Sequence, residues 1–358
     1  MSILWSFSGS APLVERQKFS SYISSFFEFK DLVPNEDDLD VLDYEIDIQG
    51  NWINLEHLLE VPNLGPESVI DPNTVIQTID TLRHENLIFA LLQEKRSLIL
   101  CGPPGSGKTM TLYAALSRSP DIDVSNLNFS KETSPTILLK AMEQLCEYKK
   151  TVDGLIMRPK VTGKRVVFFC DEINLPRSDK FGTQHVISFM RQMIERNGFW
   201  RPFDKQWVNL VNVQFVGACN PPSDAGRIKL SPRFLSHLTL IMVDYPGASS
   251  LQHIYNTFVR ATLKKVPHLS GYAKDITNAM LDVYSRSISK FTHNTQSHYI
   301  YSPRELTRWV RGMLYSIQPL SSLDISDIIR VWAHEATRLF CDRLVLEDER
   351  TWTLDLID

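Results

Sequence analysis

The sequence predicts an α/β fold, a parallel sheet sandwiched by helices, followed by a smaller all-helical domain. The first observation behind this is the alternation of short apolar runs with helix-compatible stretches between residues 97 and 243. Continuous apolar strands in that setting belong to a parallel sheet covered on both faces. The second is a glycine-rich turn at 102–107, set between the first apolar run and a helix-compatible stretch. The third is the change after Pro246-Gly247, beyond which strand-like runs give way to helical ones.

Residues 1–65 read as irregular. Within them Phe19 to Phe29 is aromatic-rich and suits a short amphipathic helix, and Pro34 to Asp38 is an acidic turn. Tyr44-Glu45-Ile46-Asp47-Ile48 alternates polar with apolar and runs into Gln49-Gly50-Asn51, a hairpin signal. Residues 73–96 carry Val75, Ile76, Ile79, Leu82, Leu87, Ile88 and Leu91 near helical spacing. Strands are expected at 97–101, 125–129, 165–170, 211–218 and 237–243, and helices at 109–118, 133–147 and 183–197. Further helices are expected at 248–264, 272–290, 302–317 and 324–346. The chain therefore divides into an N-terminal extension (1–65), a large α/β domain (66–246) and a small helical domain (247–358).

Composition narrows the function classes. The 358 residues are 43% hydrophobic and 22% charged, with a net charge of −4, an ordinary globular balance. A mildly acidic chain without a dense Lys/Arg block suits neither bulk nucleic-acid binding nor an anionic membrane surface. The five cysteines are scattered, and Cys101, Cys170 and Cys219 lie in or beside apolar runs. That pattern suits a reducing intracellular compartment. No apolar run approaches membrane-spanning length, and the first residues lack a basic-then-apolar leader pattern.

The chemistry begins at Gly102-Pro103-Pro104-Gly105-Ser106-Gly107-Lys108-Thr109, a complete G-x-x-x-x-G-K-[ST] phosphate loop. Glycines let the backbone wrap a phosphate and aim successive N–H groups inward. The following helix, from Met110 on, adds the positive end of its dipole. Lys108 is placed for the β- and γ-phosphates, and the Thr109 hydroxyl for Mg²⁺. A second apolar strand ends in Asp171-Glu172. Asp171 is placed to hold Mg²⁺ and Glu172 to activate an attacking water. Taken alone, such a pair is more often a solvated strand end; after a complete phosphate loop the catalytic reading is favoured. A third strand ends in Asn220-Pro221-Pro222; an amide there can orient that water, although Asn-Pro also initiates turns. Arg233 and Arg304 each follow Ser-Pro, where a guanidinium can fork onto phosphate oxygens or simply face solvent. His293 and His298 lack zinc-site spacing, and the aromatics Phe199, Trp200, Phe203 and Trp207 read as packing residues.

The order of these parts resembles the AAA+ ATPases, with Walker A, Walker B, sensor I, arginine finger and sensor II in sequence. Longer strings resemble the dynein heavy chains, most closely their third AAA+ module: Phe169-Cys170-Asp171-Glu172-Ile173-Asn174-Leu175-Pro176, Gly198-Phe199-Trp200, and Gln214 through Pro222. The resemblance is dense over 66–245 and thinner over 1–65, which would be a junction with a preceding module. It implies a P-loop AAA+ large domain with a helical lid, binding ATP or ADP with Mg²⁺. By position, residues 102–110 and Asp171 bind nucleotide, Thr109 and Asp171 hold the metal, and Glu172, Asn220 and Arg304 serve hydrolysis. Arg233 resembles an arginine finger directed at a neighbouring module, and Val69, Ile70 and Pro72 fall where such proteins hold adenine. The resemblance further implies a cytoplasmic, microtubule-associated, minus-end-directed motor. Its partners would be neighbouring modules of the same heavy chain, a heavy-chain dimer and accessory chains, with microtubules reached only through the whole motor. This module would gate the main ATPase while hydrolysing slowly. A nucleotide-loaded structural module, a generic AAA+ remodelling ATPase and a small-molecule kinase are the competing readings, and a Glu directly after the strand-end Asp favours water over a kinase acceptor.

Overall fold

The computed structural model describes residues 2–26, 41–47, 49–59, 62–71, 74–152, 154–224, 226–292, 294–320 and 323–358. The chain opens with helices α1 (Ser2–Ser8) and α2 (Leu13–Phe26), a two-stranded hairpin of β1 (Tyr44–Ile46) and β2 (Trp52–Asn54), and helices α3 (Pro66–Ile70) and α4 (Ile79–Gln93). Next come β3 (Leu98–Cys101), α5 (Lys108–Ser117), β4 (Ile122–Asn128), α6 (Pro135–Leu145), β5 (Cys146–Thr151), β6 (Gly154–Pro159) and β7 (Arg165–Asp171). The order continues through α7 (His185–Arg196), β8 (Gly198–Trp200), β9 (Trp207–Leu210), β10 (Val213–Cys219), α8 (Pro232–Leu235) and β11 (Thr239–Met242). Helices α9 (Ala248–Leu263), α10 (Ala273–Lys290), α11 (Pro303–Ile317), α12 (Ile325–Ala336) and α13 (Glu347–Ile357) complete it. Two compact units result: 1–53 with 83–244, and 54–82 with 245–358.

The first unit is built on a five-stranded parallel sheet in the order β11-β3-β10-β7-β4. Strand periodicity sorts its residues. Leu98, Leu100, Val167, Phe169, Val216, Ala218 and Ile241 face one core, where α4 and α5 contribute Ile88, Leu92, Leu112 and Leu116. Ile99, Val166, Phe168, Cys170, Phe215 and Cys219 face the other, covered by Leu138 and Met142 of α6 and by Val186, Met190 and Met193 of α7. Each large side chain so buried contributes roughly 1.5–3 kcal/mol, which is why the strands read as unbroken apolar runs.

Local chemistry sets the helix ends. Helix α4 starts at Ile79, later than the expected 73, because Thr78 and Thr81 cap each other: Thr78 N donates to Thr81 Oγ1 at 2.7 Å and Thr81 N to Thr78 Oγ1 at 3.3 Å. Ser134 caps α6, accepting from Ile137 N, with Pro135 in the first turn. Asn197, left-handed at φ +47°, closes α7.

Several expectations are corrected. The stretch 133–147 is not all helix, since Cys146 is extended and opens β5. Strands β5, β6, β9 and β8 form a second, four-stranded sheet that the polar sequence Glu147-Tyr148-Lys149-Lys150 did not suggest. Residues 2–8 and 13–26 are helical rather than irregular. Arg16 of α2, 1% exposed, donates to Ala11 O and Met242 O at 3.0 Å each and stacks on Trp5. Met242 N, on the edge strand β11, donates to Gly9 O at 2.8 Å. The hairpin at 44–54 matches expectation, while the acidic turn at 34–38 and His293 lie outside the described residues.

The second unit is helical. Helices α9, α10, α11 and α12 surround Trp309, which is fully buried and donates from Nε1 to Trp332 O at 3.1 Å. Tyr301 stacks on Phe340 with ring centroids 5.7 Å apart. A capping box starts α11, with Ser302 N and Oγ donating to Glu305 Oε2 at 2.8 and 2.9 Å. The expected helix 324–346 is instead α12 and a π-helical turn over Thr337–Cys341, and a separate α13 begins only at Glu347. Segment 54–82, grouped by sequence partly with the extension and partly with the α/β domain, packs with this unit. Among the described residues no helix is long and apolar enough to cross a membrane.

Candidate phosphate-binding site

Strands β3, β10 and β7 lie side by side and parallel, with β10 in the middle. Their carboxyl ends therefore open on one edge of the sheet, where open α/β sheets bind ligands. Cys101 leads into the glycine loop, Cys219 into Asn220, and Cys170 into Asp171. Cys101 and Cys219 are in register across β3 and β10, so the loop and Asn220 leave the sheet at the same level.

Gly102 is required by close approach. A Cβ there would lie 2.0 Å from the Val243 carbonyl oxygen, and Gly102 N donates to Cys219 O at 3.2 Å. Gly105 and Gly107 hold φ of +84° and +85°, the left-handed region that suits glycine. Gly107 is the N-cap of α5, so the helix begins at Lys108 and its first N–H groups face the loop. Thr109 and Met110 occupy that first turn, half-buried. Pro103 and Pro104 are half-buried. Ser106 is 6% exposed, and its Oγ has no hydrogen-bond partner among the described residues. An orphaned hydroxyl in a glycine cradle fits a loop shaped for an oxyanion.

Lys108 Nζ donates to Gly102 O and Pro103 O at 2.9 Å each and to Asn220 Oδ1 at 3.2 Å. The lysine and the Asn220 amide thus meet, as their positions at the ends of neighbouring strands require. Burial holds the Lys108 ammonium below its usual pKa, partly opposed by the Asp171 carboxylate.

Asp171 closes β7, and its Oδ1 accepts from Glu172 N at 2.9 Å. Glu172 adopts φ +57°, a conformation that costs a non-glycine residue free energy and clusters at functional sites. Its carboxylate forms an ion pair with Arg227. Asn174, 2% exposed, donates from Nδ2 to Asn220 O at 2.9 Å and accepts from Ile228 N at 3.0 Å. Arg227 and Asn174 were not assigned roles from sequence. An Arg behind Pro, Asp and Gly in a loop looks like a solvated turn, and its link to Glu172 is visible only in space.

The other predicted site residues lie on other elements. Arg233 is exposed on α8, which Ser231 caps and the buried Phe234 anchors. Arg304 is exposed in the first turn of α11, in the helical unit. Val69 and Ile70 belong to α3 of the same unit. Val69 is 3% exposed in the helical core and its carbonyl accepts from Arg311 Nε at 2.9 Å, so it could offer a base little beyond backbone. Pro72 lies outside the described residues.

Among the described residues no group of three or more His, Cys, Asp or Glu side chains stands ready for a metal. The Thr109 hydroxyl and Asp171 carboxylate are hard oxygen donors. One or two such ligands beside substrate phosphates is how Mg²⁺ is usually held.

Residues 66–246 match a family model described as the P-loop containing dynein motor region. Residues 258–350 match the dynein heavy chain ATPase lid domain, and residues 1–57 the dynein heavy chain AAA lid domain. The chain is 50% identical over 357 residues to a cytoplasmic dynein heavy chain of Drosophila melanogaster, covering 100% of this chain and 8% of that protein. It is 50% identical over 359 residues to that of Caenorhabditis elegans and 48% identical over 359 residues to that of Dictyostelium discoideum, with the same coverage. The chain thus spans about 8% of the length of these relatives.

Proposed function

We propose, from the premise that this chain belongs to the dynein heavy-chain family, that it is an AAA+ module that binds Mg²⁺-ATP and hydrolyses it slowly. The observation that carries this is the meeting of Lys108 and Asn220 at the sheet edge where Asp171 and Glu172 also emerge. Backbone N–H groups of residues 105–109 and the Lys108 ammonium bind the phosphates. Thr109 and Asp171 hold Mg²⁺, which supplies charge neutralisation on the phosphate oxygens. Glu172 accepts the proton of the attacking water, and Asn220 orients that water. Arg304 reaches the nucleotide from the lid, and Val69 and Ile70 flank the base.

Within a parent heavy chain this module gates the main motor ATPase and hence microtubule release, as the third module of the ring. Its partners are the neighbouring modules, and its compartment is the cytoplasm. Arg233 serves a neighbour's nucleotide, and this site takes its own finger from another module. A finger in trans is worth about 10³–10⁵ in rate, so the 358-residue chain is expected to bind ATP tightly and cleave it slowly. Radiolabelled ATP followed over hours checks this: gradual conversion of bound ATP to ADP is expected, and brisk multiple turnover by monomers would sink the idea. Arg233→Ala is expected to change the chain's own nucleotide affinity less than about twofold, since an exposed rim charge contributes little. A large loss in a calorimetric titration would mean that Arg233 acts in cis.

One observation keeps the structural reading alive. Glu172 is engaged by Arg227, so a module that stays loaded without turnover would present the same loop. Retention of intact ATP through the whole time course above would favour it.

A further inference from the structure

Arg227 has no part in the chemistry described so far, yet it is placed beside its centre. Its side chain is 15% exposed, and its guanidinium is paired with the Glu172 carboxylate, which is 33% exposed. A guanidinium in that setting is a rigid, permanently charged fork. Glu172 emerges from a left-handed backbone at φ +57°, so its side chain leaves the strand end in a direction that ordinary strand geometry would not give. A glutamate has three side-chain torsions. Without a partner its carboxylate would sample many positions, and only some could receive a proton from a bound water.

Arg227 is itself tied to the site. The loop after Asn220 folds on itself, with Asp224 N donating to Pro221 O at 3.1 Å and Arg227 N to Asp224 O at 3.2 Å. The next residue, Ile228, donates from N to Asn174 O at 3.0 Å. Asn174 in turn donates from Nδ2 to Asn220 O at 2.9 Å, and Asn220 Oδ1 accepts from Lys108. A chain of hydrogen bonds therefore runs from Lys108 through Asn220 and Asn174 to the loop that carries Arg227. The ion pair with Glu172 returns it to the strand end beside Asp171. Coupling of this kind travels through packed, discrete contacts.

We infer that Arg227 is a positioning residue for ATP hydrolysis: its guanidinium fixes the Glu172 carboxylate, and Asn174 links that hold to Asn220 and Lys108. The inference rests on the hydrolytic reading of Glu172 given above. Arg227 acts on the reaction through the Glu172 carboxylate that it holds. It acts by engaging one carboxylate oxygen, Oε2, which limits the positions open to the other.

The test is single-turnover cleavage of ATP by the 358-residue chain, comparing wild type with Arg227→Ala, Arg227→Lys, Glu172→Gln and the double Glu172→Gln/Arg227→Ala. Arg227→Ala is expected to lower the cleavage rate about 10–100-fold, the scale of a misplaced catalytic group. The ATP concentration giving half-maximal rate should move less than twofold. Arg227→Lys, which keeps the charge without the fork, should recover part of the rate. In the Glu172→Gln background, Arg227→Ala should cost nothing further, because residues acting as one unit are not additive. Nucleotide-free chains give an independent readout. Arg227→Ala and Glu172→Gln should each lower the melting temperature by stranding a charge, and the double should fall no further than the worse single. Wild-type cleavage by Arg227→Ala, or an equal slowing in both backgrounds, overturns the assignment. A normal rate in Glu172→Gln sinks the hydrolytic reading itself. A slow Glu172→Gln with a normal Arg227→Ala removes only the role of Arg227.

Discussion

Glu172→Gln is expected to slow cleavage of bound ATP by about 10²–10⁴-fold, the range of a lost general base, while leaving nucleotide affinity within a few-fold of wild type. The amide is the same size and keeps an oxygen, so the left-handed backbone at φ +57° and the packing of Ile173 beneath it need not change. What it lacks is a lone pair basic enough to take a proton from water. The phosphate loop, Lys108 and Thr109 are untouched, so ATP should accumulate on the protein in place of ADP. Filter binding of doubly labelled ATP, followed by separation of the eluted nucleotide, reads both effects at once. Retention of wild-type cleavage would remove Glu172 from the chemistry. Loss of binding would instead mean that its charge, or its pairing with Arg227, shapes the loop.

Lys108→Ala is expected to weaken ADP and ATP binding by about 100-fold, the order of one charge-assisted contact in a partly buried site. Two losses combine. The phosphates lose a cation, and the carbonyls of Gly102 and Pro103 lose the donor that holds the loop closed at 2.9 Å. The site also carries a pH signature. Burial lowers the folded-state pKa of Lys108, so the charge that attracts phosphate is fully present at low pH and is lost as pH rises through that lowered value. Wild-type affinity should therefore fall at alkaline pH sooner than an exposed lysine would allow, and Lys108→Ala should abolish that dependence. Calorimetric titration with ADP across a pH series measures both, and unchanged affinity in the variant would refute the site.

The sheet was legible because its physics is local. Val166 to Cys170 and Phe215 to Cys219 are buried on both faces, and an apolar run between punctuating glycines or acids can do little else. The phosphate loop was legible for a different reason: Gly102, Gly105 and Gly107 are demanded by contact and by φ, not by preference. The second sheet was hidden because β5 carries Glu147, Lys149 and Lys150 and β9 carries Asn209, while in β6 only alternate residues are buried, so no long apolar run announces it. The break after α12 was hidden because Thr337 to Cys341 keeps helical spacing while its hydrogen bonding changes to a π turn. In the site, Lys108 was read from the phosphate loop, and Asp171, Glu172 and Asn220 from strand ends. Arg227 and Asn174 were not, because their roles arise from contacts between chain segments up to 55 residues apart, Glu172 with Arg227 and Asn174 with Asn220.

The N-terminal helices bear on how this chain may be divided. The segment that matches the dynein heavy chain AAA lid domain ends at residue 57, and similarity alone would invite a cut there. Yet Gly9 supplies the carbonyl that occupies Met242 N, and Arg16 and Leu13 bind Met242 O and the Asp244 carboxylate. These contacts shield the outer margin of β11, an edge strand of the five-stranded sheet. Trimmed at 57, the remainder would bare hydrogen-bonding groups along that margin, an adhesive surface for a second chain. The borrowed helices therefore act as an antiaggregation cover, and self-association of a shortened protein would report the missing cover before it reported any property of the nucleotide site.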